Sequence, residues 1–238
     1  MNFLKSLSIG YTGELYNIKL INFSVEMDEV RYKVPTGLKI KDFNGRALIS
    51  MVVVNLNRIC PTFLNGLLPI SYQHIAFRLL LDDSMYNEGK EKGVYFLKSF
   101  TDNKLVLSVG NLISHYNYTK ARILDNENSF TLYSGKDHLH YTIGQQSNAD
   151  KWGILKPAIQ AIDRAYSVVK DQINVTRIMR HSWPLEPIEV VEFETSFFKT
   201  ATFEAGFKVP GVIPYEWLPP KPVMNTRSEL GSIRNFRI

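Results

Sequence analysis

The sequence predicts a mainly β protein with a few flanking helices, closed as a barrel or packed as a sandwich. Three observations carry this. Short segments rich in Val, Ile, Phe and Tyr recur at close intervals along most of the chain. Only two or three stretches change to helical spacing. No regular strand–helix–strand alternation runs through it, so a parallel sheet of crossover units is not expected. The 238 residues suffice to bury a large core without staples.

The elements follow in order. Residues 14–25 are β-rich, through Leu15, Tyr16, Ile18, Leu20, Ile21 and Phe23. Residues 26–33 form a helical stretch, stopped by Pro35 and Gly37. Asn44-Gly45 is a turn dipeptide ahead of the apolar run 47–56. Residues 71–81 and 93–100 are strands. Leu105, Ser108, Val109, Leu112 and Ile113 then fall at helical spacing, with Asp102 or Asn103 as the cap. Strands return over 116–123, 129–134 and 138–144. Residues 150–170 read as a helix with Pro157 near its start, and strands over 174–183 and 188–198 close the set. From Val209 onward, Pro210, Pro214, Pro219, Pro220 and Pro222 predict an extended tail over the body. The domain reading is therefore a single barrel domain over 1–208 and a Pro-rich segment over 209–238.

Charge and motifs exclude several functions. Lys plus Arg is 28 against 23 for Asp plus Glu, a net charge of +5. The basic residues are scattered, and the densest group, Arg177, Arg180 and His181, lies among Ile178, Met179 and Trp183. Nucleic-acid binding is not expected from such a surface. The single cysteine, Cys60, excludes an internal disulfide and a multi-cysteine zinc site, and it reads as a buried small residue before Pro61. His138 and His140 alternate on a strand without a third ligand at set spacing, so no metal is expected. No glycine-rich dinucleotide fingerprint or P-loop is present, and no cofactor is expected. No run of 18 apolar residues occurs, and the first ten residues make a poor secretory signal. A cytoplasmic protein without membrane contact is the simplest reading, with the sequons at Asn22, Asn117 and Asn174 as accidents of composition.

Several segments together resemble a known family. Val34-Pro35-Thr36-Gly37-Leu38-Lys39-Ile40 and Asp42-Phe43-Asn44-Gly45-Arg46-Ala47 match a Pro-x-Gly-Leu turn followed by an Asp-x-x-Gly-x-Ala lead into a strand. Phe77-Arg78, Gly93-Val94-Tyr95-Phe96, Tyr116-Asn117-Tyr118, Arg164-Ala165-Tyr166 and His181-Ser182-Trp183-Pro184-Leu185 follow in order. The pattern is similar to domain-of-unknown-function family 2071 (YqjF-like), a bacterial family that itself resembles acetoacetate decarboxylase. The resemblance implies an acetoacetate-decarboxylase-like β-barrel with a central cavity, able to hold one small-molecule ligand.

Acetoacetate decarboxylase forms a Schiff base on one of two adjacent lysines, the second lowering the pKa of the first. That pair follows a Ser-x-Tyr just after a helix. Here the stretch is Ser114-His115-Tyr116-Asn117-Tyr118-Thr119-Lys120, and the pair falls on Tyr118 and Thr119, within a residue. The chain contains no Lys-Lys dipeptide. Lys120 is a displaced candidate nucleophile if residues 116–122 form one strand, since Arg122 would then lie roughly 6–7 Å away on the same face. The alternative is a solvated Lys and Arg at a strand end.

Tyr72, His74, Ala76 and Arg78 share one face of a strand. Related proteins carry an acidic residue, an amide and an arginine at the last three positions, so Arg78 matches while His74 and Ala76 depart. An inward arginine needs an anionic partner, either a ligand carboxylate or a protein Asp or Glu. His74 would then be a hydrogen-bonding or proton-transfer group. Trp183 reads as core or cavity wall, and His181 faces the cavity or caps a strand end. Arg164 and Tyr166 brace the barrel or line it.

The leading expectation is a protein that binds a small molecule, partly apolar and bearing a carboxylate, in a barrel lined by Tyr72, His74, Arg78, Tyr116, Tyr118, His181 and Trp183. A second is a lyase or hydrolase on a small keto acid, using Lys120 or His74. A third is a protein-interaction module built on the Pro-rich segment. Whether the chain is an enzyme, and whether it forms a homo-oligomer, the sequence leaves open.

Overall fold

The computed structural model describes residues 9–111, 116, 118–144, 153, 155–169, 171–181 and 183–225. The strands are β1 (Tyr11–Glu26), β2 (Asp42–Phe43), β3 (Arg46–Pro61), β4 (Ile70–Leu80), β5 (Gly93–Thr101), β6 (Tyr118–Lys120), β7 (Arg122–Asp125) and β8 (Ser129–Ser134). They continue with β9 (Asp137–Ile143), β10 (Arg164–Val169), β11 (Gln172–Arg180), β12 (Glu186–Ile188), β13 (Val190–Thr195), β14 (Thr202–Val209), β15 (Ile213–Trp217) and β16 (Lys221–Asn225).

Seven of these close a barrel in the order β1–β15–β11–β10–β5–β4–β3 and back to β1. Every pairing in that ring is antiparallel except β5 with β10. A second antiparallel sheet, in the order β13–β9–β8–β7, covers one flank. The barrel has no free edge along the ring, which removes a risk of edge-to-edge pairing.

Two apolar layers explain the sequence pattern. Strand β3 reads almost continuously apolar because both its faces are buried. Leu48, Val52, Val54 and Leu56 point into the barrel. Ala47, Ile49, Met51 and Val53 point to the second sheet. There they meet Phe130, Leu132, Leu139 and Tyr141 of β8 and β9. Phe77 and Phe100 join that layer with ring centroids 5.3 Å apart, edge to face.

Strand β1 makes the same double use of its faces only because it bulges. Asn17 has φ +50° and the register against β3 shifts between Tyr16 and Lys19, so Leu15 and Ile18 both turn inward. Lys19, on the other face, is buried between the sheets and bonds Asp125 Oδ1 at 2.7 Å.

Three expectations need correction. Residues 116–123 are not one strand: β6 pairs with β5 in the barrel sheet, while β7 belongs to the second sheet. The chain changes sheets at Ala121, so Lys120 and Arg122 do not share a strand face. Of the helix expected over 150–170, the described helical part is Leu155–Gln160, and Arg164–Val169 is instead strand β10. Ala165, Tyr166, Val168 and Val169 are the β-compatible run that ends it. The described part of the segment after Val209, residues 210–225, is not a tail but part of the barrel sheet. Ile213–Trp217 is a barrel strand between β1 and β11, and Lys221–Asn225 pairs with β11. Its prolines are tolerated because Pro210, Pro219 and Pro220 fall outside strands, Pro214 lies beyond the three residues that pair with β11, and Pro222 sits in β16 opposite Asn174, where the register with β11 shifts.

Candidate functional site

The inward face of β4 builds the site. Tyr72, Ala76 and Leu80 belong to the barrel interior, and the two-residue period places His74 and Arg78 with them. The strand continues apolar on its other face through Ile75, Phe77 and Leu79, so the polar residues have only the interior to occupy.

Arg78 is 7% exposed. Its Nε donates to Ser50 O at 3.2 Å and its Nη2 to Ser50 Oγ at 2.9 Å. Ser50 sits directly across from Arg78 on β3. Among the described residues no carboxylate lies within ion-pair distance of this guanidinium. Burial, followed by the charge of Arg180, pulls its pKa down from 12.5 to about 9. It remains a cation at neutral pH, held by neutral groups alone.

His74 is buried against aromatic rings, with Tyr118 at 5.2 Å, Tyr72 at 6.1 Å, and Phe96 and Tyr116 at 6.4 Å between centroids. Burial, followed by the charge of Arg78, drives its pKa down to about 3. The imidazole is therefore neutral at physiological pH, and its Nε2 has no hydrogen-bond partner among the described residues. Tyr72 OH and Tyr118 OH bond each other at 3.0 Å. Burial raises the pKa of Tyr72 to about 12 and those of Tyr116 and Tyr118 well above their ordinary value. These phenols stay protonated; one of the Tyr72–Tyr118 pair donates to the other.

Between Arg78 and His74 the interior is small-sided. Ala76 pairs in register with Ser99 of β5, whose buried Oγ has no partner among the described residues. Ser99 faces inward because β5 carries a bulge opposite Phe77 and Arg78: Phe77 lies across from Lys98, yet Arg78 from Phe96. Without that extra residue, Phe96 and Ser99 would point to opposite faces. Ser99 also pairs with Tyr118 of β6. Tyr118 is clamped by the preceding helical turn, Val106–Gly110, where a π-type turn ends on Asn111. Asn111 Oδ1 accepts from Tyr118 N, and its Nδ2 donates to Tyr118 O, both at 2.8 Å. Asn103 caps that turn, bonding the amides of Leu105 and Val106.

Of the residues expected to line the barrel, Tyr72, His74, Arg78, Tyr116 and Tyr118 come together there, and Trp183 packs in the same interior. His181 does not: its side chain is exposed. Lys120 is exposed as well, because the inward residue of β6 is Tyr118, two positions earlier. Ser114 and His115 lie outside the described residues. Arg164 and Tyr166 brace the wall, through Asp163 at 2.7 Å and Asp83 at 2.9 Å. His138 and His140 pair with Glu194 and Glu192 on the second sheet. Cys60 is buried, its Sγ 3.0 Å from Leu67 O.

Sequence reasoning missed Arg180, Ser50 and Ser99. Arg180 was grouped with surface charge, yet it follows Ile178 at a spacing of two on β11, and Ile178 packs on the interior. That alternation was the available signal. Ser50 stood inside an apolar run, opposite the inward arginine.

The fold has solved relatives. The enduracididine biosynthesis enzyme MppR complexed with pyruvate superposes with a TM-score of 0.55 at 10% identity, over 91% of this chain and 91% of that one. An acetoacetate decarboxylase-like enzyme from Sphingomonas wittichii RW1 gives 0.55 at 11% identity, over 92% and 95%. Acetoacetate decarboxylase from Legionella pneumophila gives 0.52 at 11% identity, over 92% and 90%. No curated protein matches the chain. Among the described residues no helix is long and apolar enough to cross a membrane. The model of family DUF2071, described as an uncharacterized conserved protein, matches residues 12–220, and the chain belongs to that family.

Proposed function

We propose that the protein binds a small carboxylate-bearing molecule inside the barrel. One observation carries this: Arg78 is a buried cation with no anionic partner among the described residues. Uncompensated buried charge is costly and is retained where a ligand supplies the counter-charge. Ser50 orients the guanidinium from one side and leaves its other N–H groups for a carboxylate. The small residues Ala76 and Ser99 leave room for the ligand's body, and His74 Nε2 and Ser99 Oγ offer it hydrogen bonds. The pyruvate held by one fold relative supports the same chemical class.

Neutral His74 is suited to hydrogen bonding, because a base with a pKa near 3 is almost powerless at pH 7. The test is thermal denaturation with pyruvate or butyrate against the matching amides. At a carboxylate concentration a hundred times its Kd, stabilisation is about 2.7 kcal/mol, and the melting point rises by about 5–11 °C. Amides should have no effect, and Arg78→Met should remove the response to the acids. Equal stabilisation by acids and amides, or by neither, would overturn the proposal.

A further inference from the structure

We propose that the barrel interior prefers a small dianion to a monocarboxylate, with Arg180 meeting the second negative charge; this rests on the carboxylate reading above. Arg180 lies on the inward-facing register of β11, two residues after Ile178. Its guanidinium stacks on the indole of Trp183 at 4.1 Å, and Nη2 donates to Ile162 O at 2.6 Å. Trp183 is itself 7% exposed, and its buried Nε1–H has no acceptor among the described residues. The two arginines are near enough for the charge of Arg180 to act on Arg78.

The local balance of charge is uneven. Asp163 is the acidic group that acts on Arg180. It is already held by Arg164 Nε at 2.7 Å and approached by Lys92 Nζ at 3.6 Å. Arg78 has no carboxylate within ion-pair distance among the described residues. His74 is neutral and adds no charge of its own. Among the described residues, two guanidinium groups therefore face one interior with no free anion between them, and the indole N–H of Trp183, which has no acceptor, adds a further donor. A monocarboxylate on Arg78 leaves the charge of half-buried Arg180 without a ligand counter-charge. A ligand with two negative charges neutralises both, and each planar guanidinium offers paired N–H donors to an oxyanion. The shared chemistry is an oxyanion ligand of at least two negative charges, one on a carboxylate and the rest on a second carboxylate or on a phosphoryl group, which alone carries about −1.5 to −2 at pH 7.

Calorimetric titration of the full chain tests this with succinate, monomethyl succinate and phosphoglycolate. Succinate and its half-ester have the same carbon backbone and differ by one charge. The dianions should bind about 10- to 100-fold tighter than the half-ester, the range expected of a hydrogen bond to a charged group. Tight binding by succinate assigns the second charge to a carboxylate, and tight binding by phosphoglycolate alone assigns it to phosphoryl; both support the proposal. In Arg180→Met the ratio of dianion to half-ester affinity should fall toward one. Equal affinity for succinate and its half-ester, with phosphoglycolate no tighter, would overturn the dianion preference and leave the carboxylate reading standing. A ratio unchanged by Arg180→Met would overturn the role of Arg180. Absence of binding by every acid would overturn both readings. Should Arg180→Met fail to fold, the comparison of acid with half-ester on the natural chain still decides the dianion preference, and Arg180→Lys, which keeps the charge, tests Arg180 by losing less of the ratio than Arg180→Gln.

Discussion

Removing Arg78 should leave the ligand-free protein about as stable as before, or more so. The pKa of this guanidinium falls from 12.5 to about 9 in the fold, chiefly through burial. A folded pKa below the unfolded one means that the charged form is penalised by folding. At about 1.4 kcal/mol per unit, the penalty is about 5 kcal/mol at pH 7. Arg78→Met removes the charge and keeps an apolar stem of similar reach. It also strips Ser50 O and Oγ of their donor, at about 1–3 kcal/mol for each group left unpaired. The net expectation runs from about 1 kcal/mol of loss to about 3 kcal/mol of gain, the gain worth up to about 10 °C in melting point. Urea denaturation of dialysed protein at pH 7 reads this as a shift in midpoint at unchanged slope. An arginine in a structural ion pair behaves oppositely, since removing one partner of a buried pair costs about 3–5 kcal/mol. A loss of 3 kcal/mol or more in Arg78→Met would show that a protein anion, not a ligand, satisfies the guanidinium, and the binding proposal would fall with it.

Other outcomes follow from the same geometry. Because the folded pKa of His74 is about 3 and its unfolded value about 6.5, its contribution to stability is complete above pH 6.5 and is lost as pH falls. Between pH 6.5 and 5 the loss is about 2 kcal/mol, and urea melts of His74→Phe should lack that part of the slope. Asn111→Ala removes both bonds that fix the backbone of Tyr118, and calorimetry should show about tenfold weaker carboxylate binding with native far-ultraviolet dichroism. Lys120 is exposed, so borohydride treatment with keto acids should leave no adduct on it by peptide mass, and an adduct there would require the strand to reorganise. Deleting residues 209–238 removes a barrel strand, so the truncated chain should lose its cooperative melting transition; a sharp transition would contradict the ring closure through β15.

The legible parts of the fold were those with a clean local pattern. The run 47–56 and the strands around Tyr72 and Tyr95 declared themselves by β-branched and aromatic content. The inward face of β4 was legible because a period of two put Tyr72, His74 and Arg78 on one side. What local pattern could not supply was the irregularity that aims the remaining side chains. Bulges at Asn17 and opposite Phe77 and Arg78 invert the facing of later residues, and a bulge leaves no mark in hydrophobic alternation. The change of sheet at Ala121 was hidden differently: no turn residue, glycine or proline interrupts residues 118–125 to separate β6 from β7. Ile213–Trp217 was masked by its prolines, which argue against a strand until the partial pairing of its edges is known.

The chemistry open to this barrel is limited by which cations it holds. Among the described residues the only buried lysine is Lys19, which lies between the sheets and is bound to Asp125, so the interior holds guanidinium and not amine. Guanidinium groups that stay protonated bind oxyanions but do not form imines. Anion binding should then act on the one titratable neutral group beside Arg78. The charge of Arg78 is a cause of the low pKa of His74, second to burial. A carboxylate on Arg78 offsets that charge, and the pKa of His74 rises. Binding therefore takes up protons as the pH falls toward that raised pKa; because burial, the larger cause, persists in the complex, affinity should increase toward pH 5 with a slope well below one logarithmic unit per pH unit. Titration in two buffers of different ionisation enthalpy should report the same proton uptake directly. His74→Phe should make the affinity independent of pH over that range. A profile in the natural protein that matches His74→Phe down to about pH 4 would place the ligand away from His74 and would confine the site to the Arg78 end of the barrel.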